Sequence, residues 1–153
     1  MKSAFCIFSS LTKFNTDLPM KNWNTAGKIK AVILGLLFLP NLIAPVKGPP
    51  QPLVVILMPL IFGCIAIPLI AKFNAALGAE IVRPNWNDSL FTLKRPLSFF
   101  HFGACFFLVV GLSMLMGAAI KFQALNSMAL SVISFGLGIL AGIWLTLKWT
   151  KTE

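Results

Sequence analysis

The stretch "LSFFHFGACFFLVVGLSMLMGAAI", Leu97 to Ile120, decides the fold. It contains no Asp, Glu, Lys or Arg and stops at Lys121. A helix of about 20 apolar residues, rising about 1.5 Å per residue, crosses the hydrocarbon core of a bilayer. This run is long enough to do so. Three more runs accompany it. Ala31–Val46 lies between Lys30 and Lys47, Leu53–Ala71 ends at Lys72, and Ala124–Leu147 ends at Lys148. None holds a charged side chain. The first run is short and contains Pro40, Asn41 and Pro45, so it must draw in flanking residues, kink, or thin the bilayer locally. The runs are continuous rather than alternating, which argues against a β-barrel.

The composition agrees. The chain has 153 residues, of which 58% are hydrophobic and 11% charged, and its mean hydropathy is +0.87. A soluble domain carries about 25% charged residues. So small a chain has much surface for its volume and too few charges to cover it in water. The net charge of +9 does not point to nucleic acid, because the basic residues sit at the ends of apolar runs rather than in a polar patch. They read as orientation signals and as contacts for anionic lipid head groups. Cys6, Cys64 and Cys105 are too few and too scattered for a disulfide framework. The start "MKSAFCIFSSLTKF" lacks the long apolar core of a cleavable signal, so the first span is expected to serve as an uncleaved insertion signal.

Of the 13 Lys and Arg residues, all but Lys47 and Lys121 fall in the N-terminal segment, the central loop or the C-terminal tail. Basic residues near span ends are retained in the cytoplasm. Trp23, Trp86, Trp144 and Trp149 fall at the same interface. The expected fold is therefore an all-α polytopic membrane protein with four transmembrane helices as two hairpins, both termini inside. Residues 1–30 form a cytoplasmic or interfacial segment, 31–73 a Pro-kinked hairpin, 74–96 a cytoplasmic loop, 97–147 a second hairpin, and 148–153 a tail. The bacterial inner membrane is the expected location.

Four sets of residues bear on function. The loop "RPNWNDSLFTLKRP" offers Arg83, Asn85, Trp86, Asn87, Asp88, Lys94 and Arg95 for contact with a partner protein or lipid head groups. Its bland reading is an interfacial anchor, with Asn87 or Asp88 capping a short helix "SLFTLK". An echo, "NWN", stands at Asn22–Asn24; its distance to the following span differs, which weakens the case for a duplication. In the last run Ser127, Ser131, Ser134, Gly138 and Ala141 share one helical face, and Gly138 with Gly142 makes a GxxxG. Ala104, Gly111 and Ala118 recur at every seventh place in the run before it. Such small residues let helices approach closely, within the chain or between copies. Asn41 with Pro40 and Pro59 marks a candidate polar site at membrane depth. His101, Cys105 and Cys64 are weak candidates for a metal, without a supporting spacing motif.

No catalytic constellation and no cofactor motif is visible. The expected role is that of a non-enzymatic accessory, assembly or immunity-type subunit, acting through helix contacts and the cytoplasmic loop, with a protein partner or a second copy. One alternative is an oligomeric transporter or channel for a small solute or lipid, using the broken first hairpin. The other is a lipid-acting enzyme at the cytoplasmic face, using His101, Asp88 and Arg95.

Overall fold

A computed structural model of the chain describes residues 23–43, 52–89, 94–121 and 127–150. The segment before Trp23, the Pro-rich turn over residues 44–51, the centre of "SLFTLK", the turn over residues 122–126 and the last three residues lie outside these. Cys6, Asn22, Pro45 and Lys47 lie outside them too. The described residues form four α-helices: α1 (Thr25–Ile43), α2 (Leu53–Ala76), α3 (Pro96–Ile120) and α4 (Ser127–Trp149). All four are long and apolar enough to cross a membrane.

Local chemistry sets their ends. α1 draws in Thr25–Lys30 ahead of the short apolar run and reaches 19 residues. Its first turn is capped by Asn24, whose side-chain oxygen accepts the Gly27 N–H at 2.9 Å. α2 ends where Gly78 takes φ +86. Left-handed backbone suits glycine there and lets the N–H groups of Leu77, Gly78 and Ala79 close onto the carbonyls of Phe73, Asn74 and Ala75. α3 begins with Pro96, whose ring presets the helical φ and whose missing N–H is not needed in a first turn. Pro40, Pro59 and Pro68 stay inside continuous helices.

α4 is the centre of the packing. It lies against both α2 and α3, while α1 lies against α3 and α2 touches α3 only lightly. Glycines make the contacts close. A methyl group at Gly63 of α2 would stand 2.8 Å from the backbone of Gly138 and Ile139 on α4, and one at Gly142 would stand 2.7 Å from the Gly63 carbonyl. On another face of α4, Gly136 meets the Ala104 carbonyl and the Leu108 side chain, while Gly111 of α3 meets Ala129 and Ile133. At these points backbone meets backbone, and dispersion replaces the hydrophobic effect that lipid would remove. Leu97, Ala104, Ile67, Ala71, Ile139 and Ile143 form the buried cluster between these three helices.

The contacts also give direction. Low positions of α1 meet low positions of α3 near Trp86, and Leu42 meets Gly117, so α1 and α3 run parallel. Leu60 meets Gly138 and Ile67 meets Gly142, so α2 and α4 run parallel. α3 and α4 pack as neighbours in opposite directions. The pairing expected over 31–73 is different: α1 and α2 follow one another in sequence but do not pack together. Glycine faces draw α2 to α4, and a polar connection at the other side of α3 holds α1. Outward-facing apolar side chains remain exposed along the helices, Leu36 at 65% and Ile43 at 72% among them. That is the surface a bilayer covers.

Candidate functional site: a polar clasp at one end of the bundle

The N-termini of α1 and α3 and the C-termini of α2 and α4 share one end of the bundle, and the two "NWN" motifs meet there. Trp23 and Trp86 lie with ring centroids 5.6 Å apart. Asn24 donates its backbone N–H to Asn87 Oδ1 at 3.2 Å and its side-chain Nδ2–H to the Asn87 carbonyl at 2.7 Å. The indole N–H of Trp86 donates to the Gly27 carbonyl at 3.2 Å. Gly27 is the residue that permits this: a methyl group there would stand 2.9 Å from Asn87 Oδ1 and 3.1 Å from the Trp86 ring. Equivalent residues of the two motifs thus touch each other, Trp to Trp and Asn to Asn.

Lys30 is the pin. Its side chain is fully buried, at 1% exposure. The ammonium donates to the carbonyls of Trp86, at 3.1 Å, and Asp88, at 2.6 Å, and lies 5.7 Å from the centre of the Trp86 ring. No carboxylate among the described residues forms an ion pair with it. A buried ammonium is costly unless its protons are satisfied. Here two backbone carbonyls and an aromatic face serve that role. A lysine read from the sequence as a flank of the first span is therefore an internal ligand for the loop.

The acidic residue of the motif faces the other way. Ser98, at the start of α3, donates its hydroxyl to Asp88 Oδ2 and accepts the Asn85 N–H at 3.2 Å. Arg95 reaches Asp88 at 3.4 Å and Glu80 at 3.3 Å. The Glu80 N–H donates to the Lys94 carbonyl at 2.8 Å. α2 ends at Ala76, before Glu80 and Arg83 could pair along one helix, and Glu80 pairs across the loop with Arg95 instead. The centre of the expected short helix "SLFTLK" lies outside the described residues; Asp88 itself sits in a bend, and its carboxylate is engaged by Ser98 and Arg95. Arg83 and Lys94 stay exposed.

Other sequence candidates are placed apart from the clasp or beside it. His101 lies edge-on to Trp86, with centroids 6.2 Å apart. With Cys105 and Cys64 it forms no metal-binding group of three His, Cys, Asp or Glu side chains among the described residues. Cys64 and Cys105 are free thiols. Asn41 donates to the carbonyl of Leu37, one turn back in its own helix, at 2.7 Å, beside Pro40, while Pro59 sits half-buried in α2. On α4, Gly138 and Gly142 face α2. Ser131 bonds back to the Ser127 carbonyl at 3.0 Å, Ser134 and Ala141 are half-buried, and Ala118 is buried on α3.

Lys30, Asn24, Gly27, Ser98 and Glu80 complete the clasp, and the sequence singled out none of them as a site. The available signals were the second "NWN" and the N-cap spacing from Asn24 to Gly27. Four apolar helices, closed at one end by this polar connection, define an all-helical protein of the membrane-spanning class. No protein-family model, curated protein or solved structure matches the chain.

Proposed function

We propose that the protein is a non-enzymatic subunit of the bacterial inner membrane, with both termini in the cytoplasm, that acts by packing a helix face against a transmembrane helix of a partner protein. The clasp end carries Lys28, Lys72, Arg83, Lys94, Arg95 and Lys148, and the far end Lys121, which supports the inward placement of the clasp.

One observation carries the reading. Of nine glycines in the described helices, seven touch a neighbouring element so closely that a methyl group would collide or press; Gly35 on α1 and Gly103 on α3 face open space. Glycine in a span costs helix propensity and is used where another backbone approaches. Gly103 also lines an apolar groove of about 270 Å³ between α2 and α3, with Phe62, Ala66, Ile70, Phe99 and Phe107. Small residues flanked by aromatic walls form a seat for a further helix. Asn87, Asp88 and the Trp86 indole are engaged in the clasp, which favours the helix faces as the surfaces for contact.

Crosslinking in native membranes with mass spectrometry tests this. Crosslinks to a partner are expected, and Gly103→Leu should abolish them while leaving the thermal midpoint within a few degrees. A chain that stays solitary after gentle extraction and in crosslinking, or a partner retained by both Gly35→Leu and Gly103→Leu, contradicts it.

A further inference from the structure

A second cleft, of about 290 Å³, opens at the clasp end between the C-terminal turns of α2 and α4. Its deep wall is apolar, from Pro68, Ala71 and Ile81; Lys72, Trp149 and Thr150 stand at its mouth. This is the level at which both helices leave the apolar zone. We infer that this cleft binds a bilayer phospholipid with an ethanolamine head group, its phosphodiester on Lys72 and its ammonium toward the carbonyl ends of α2 and α4.

Three features select that ligand. First, Lys72 is exposed, and no carboxylate among the described residues pairs with it. The nearby Lys148 lies over the Trp144 ring, 5.3 Å from its centre, so among the described residues Lys72 is the cation that lines the cleft. An ammonium beside an apolar wall at the head-group level complements a phosphodiester joined to acyl chains. Inorganic phosphate would satisfy Lys72 but would leave the wall of Pro68, Ala71 and Ile81 uncovered. Second, the hydroxyls of Thr146 and Thr150 already donate, to the Gly142 carbonyl at 2.8 Å and to the Thr146 carbonyl at 3.2 Å. With those protons used, the two lining hydroxyls can offer a cleft ligand only acceptor capacity, so the ligand must bring donors. Choline has none; ethanolamine has three. Third, two helix C-termini converge here, each with partial negative charge. That field opposes a second anionic group and favours an ammonium over a neutral one.

The inference needs only that the chain crosses a bilayer. It stands apart from the subunit reading, whose test at Gly35 and Gly103 addresses other faces. The full chain, reconstituted in phosphatidylcholine bilayers with equal minor fractions of phosphatidylethanolamine and phosphatidylglycerol, is released for native mass spectrometry. A photoactivatable phosphatidylethanolamine locates the bound lipid by peptide mapping. The expected result is a roughly two- to fivefold enrichment of phosphatidylethanolamine, the size of one exposed charge contact, with label on residues 68–82 and 146–150. Because all three lipids share the phosphodiester that Lys72 meets, Lys72→Gln should lower the total lipid retained and the label on residues 68–82, and Lys121→Gln, at the far end, should leave both. Thr150→Val gives a second reading if Lys72→Gln folds poorly, and should reduce the preference over phosphatidylcholine. Retained lipid that mirrors the bilayer, equal enrichment of phosphatidylglycerol, label spread evenly over the four helices, or retention and label unchanged by Lys72→Gln would each overturn the inference.

Discussion

α1 and α2 follow one another in the chain and are held by opposite means. α2 is held by absence of side chains: Gly63 on its own surface and Gly138 and Gly142 on α4 bring two backbones together along several turns. α1 is held chiefly at its ends. Lys30 and the paired "NWN" motifs fix its start, and at its finish Leu42 lies on Gly117 while Lys121 donates to the Ile43 carbonyl. Between those points, Val32, Leu36 and Leu39 face outward. In lipid, a helix with a smooth small-residue face is retained by van der Waals contact along its length. A helix without one needs polar groups that have no better partner elsewhere. The difference teaches that position in the sequence does not decide the neighbour; the available chemistry of each face does.

The largest effect is expected where backbones meet. Gly138→Leu must force α2 away from α4, and overpacking of this kind costs about 1–3 kcal/mol, more where backbone rather than a side chain must move. Loss of the cooperative thermal transition in detergent would show it, and an unchanged midpoint would break the comparison from the α2 side. Trp86→Ala comes next. It removes the indole bond to Gly27 and the aromatic face over Lys30, for about 2–3 kcal/mol, below the value for a fully buried aromatic because Trp86 is only half-buried. Its effect should fall chiefly on α1, with a smaller loss at the start of α3 where Trp86 meets His101 and Phe102: proteolysis near residue 25 should quicken while the unfolding midpoint of α2–α4 moves little.

Lys30→Met sharpens the contrast further. It leaves the Trp86 and Asp88 carbonyls without their donor, about 1–3 kcal/mol, yet it also removes a buried charge. Adding Lys30→Met to Trp86→Ala should therefore cost less than the two single changes together, in a double-mutant cycle of proteolysis rates. Strict additivity would mean that the ammonium and the indole do not act on each other. The smallest effect is expected at Arg95→Gln. Its partners are an exposed Glu80 and an Asp88 already held by Ser98, so a change of under about 1 kcal/mol in unfolding stability is expected.

The membrane-spanning class and the four helices were legible in the sequence, because long runs without charge have one physical explanation. Helix ends were legible to within a few residues where a Lys or Pro stood at the border, as at Pro96 and Lys121. α1 was harder. Its apolar run is short, and the missing turns come from "TAGKIK", which reads as a basic flank. A lysine beside a span normally snorkels to the interface. Nothing in the local pattern tells that Lys30 is instead covered by a loop more than fifty residues away. The same distance hid the pairing of the two "NWN" motifs, whose unequal spacing to the next helix weakens the case for a duplication. Ser98 was hidden by its apolar neighbours, since its partner Asp88 lies across a turn. The Asp88–Arg95 contact was foreseeable only as a consequence of the loop folding back, which it does.

The clasp within a single chain is the central claim, and a cysteine pair tests it directly. With Cys6, Cys64 and Cys105 changed to serine, Asn24→Cys and Asn87→Cys are introduced together and oxidised mildly in native membranes. Rapid formation of a disulfide that leaves the protein at monomer mobility, slowed when Trp86→Ala is added, is the expected result. No disulfide, or one that forms only between chains, would contradict the account.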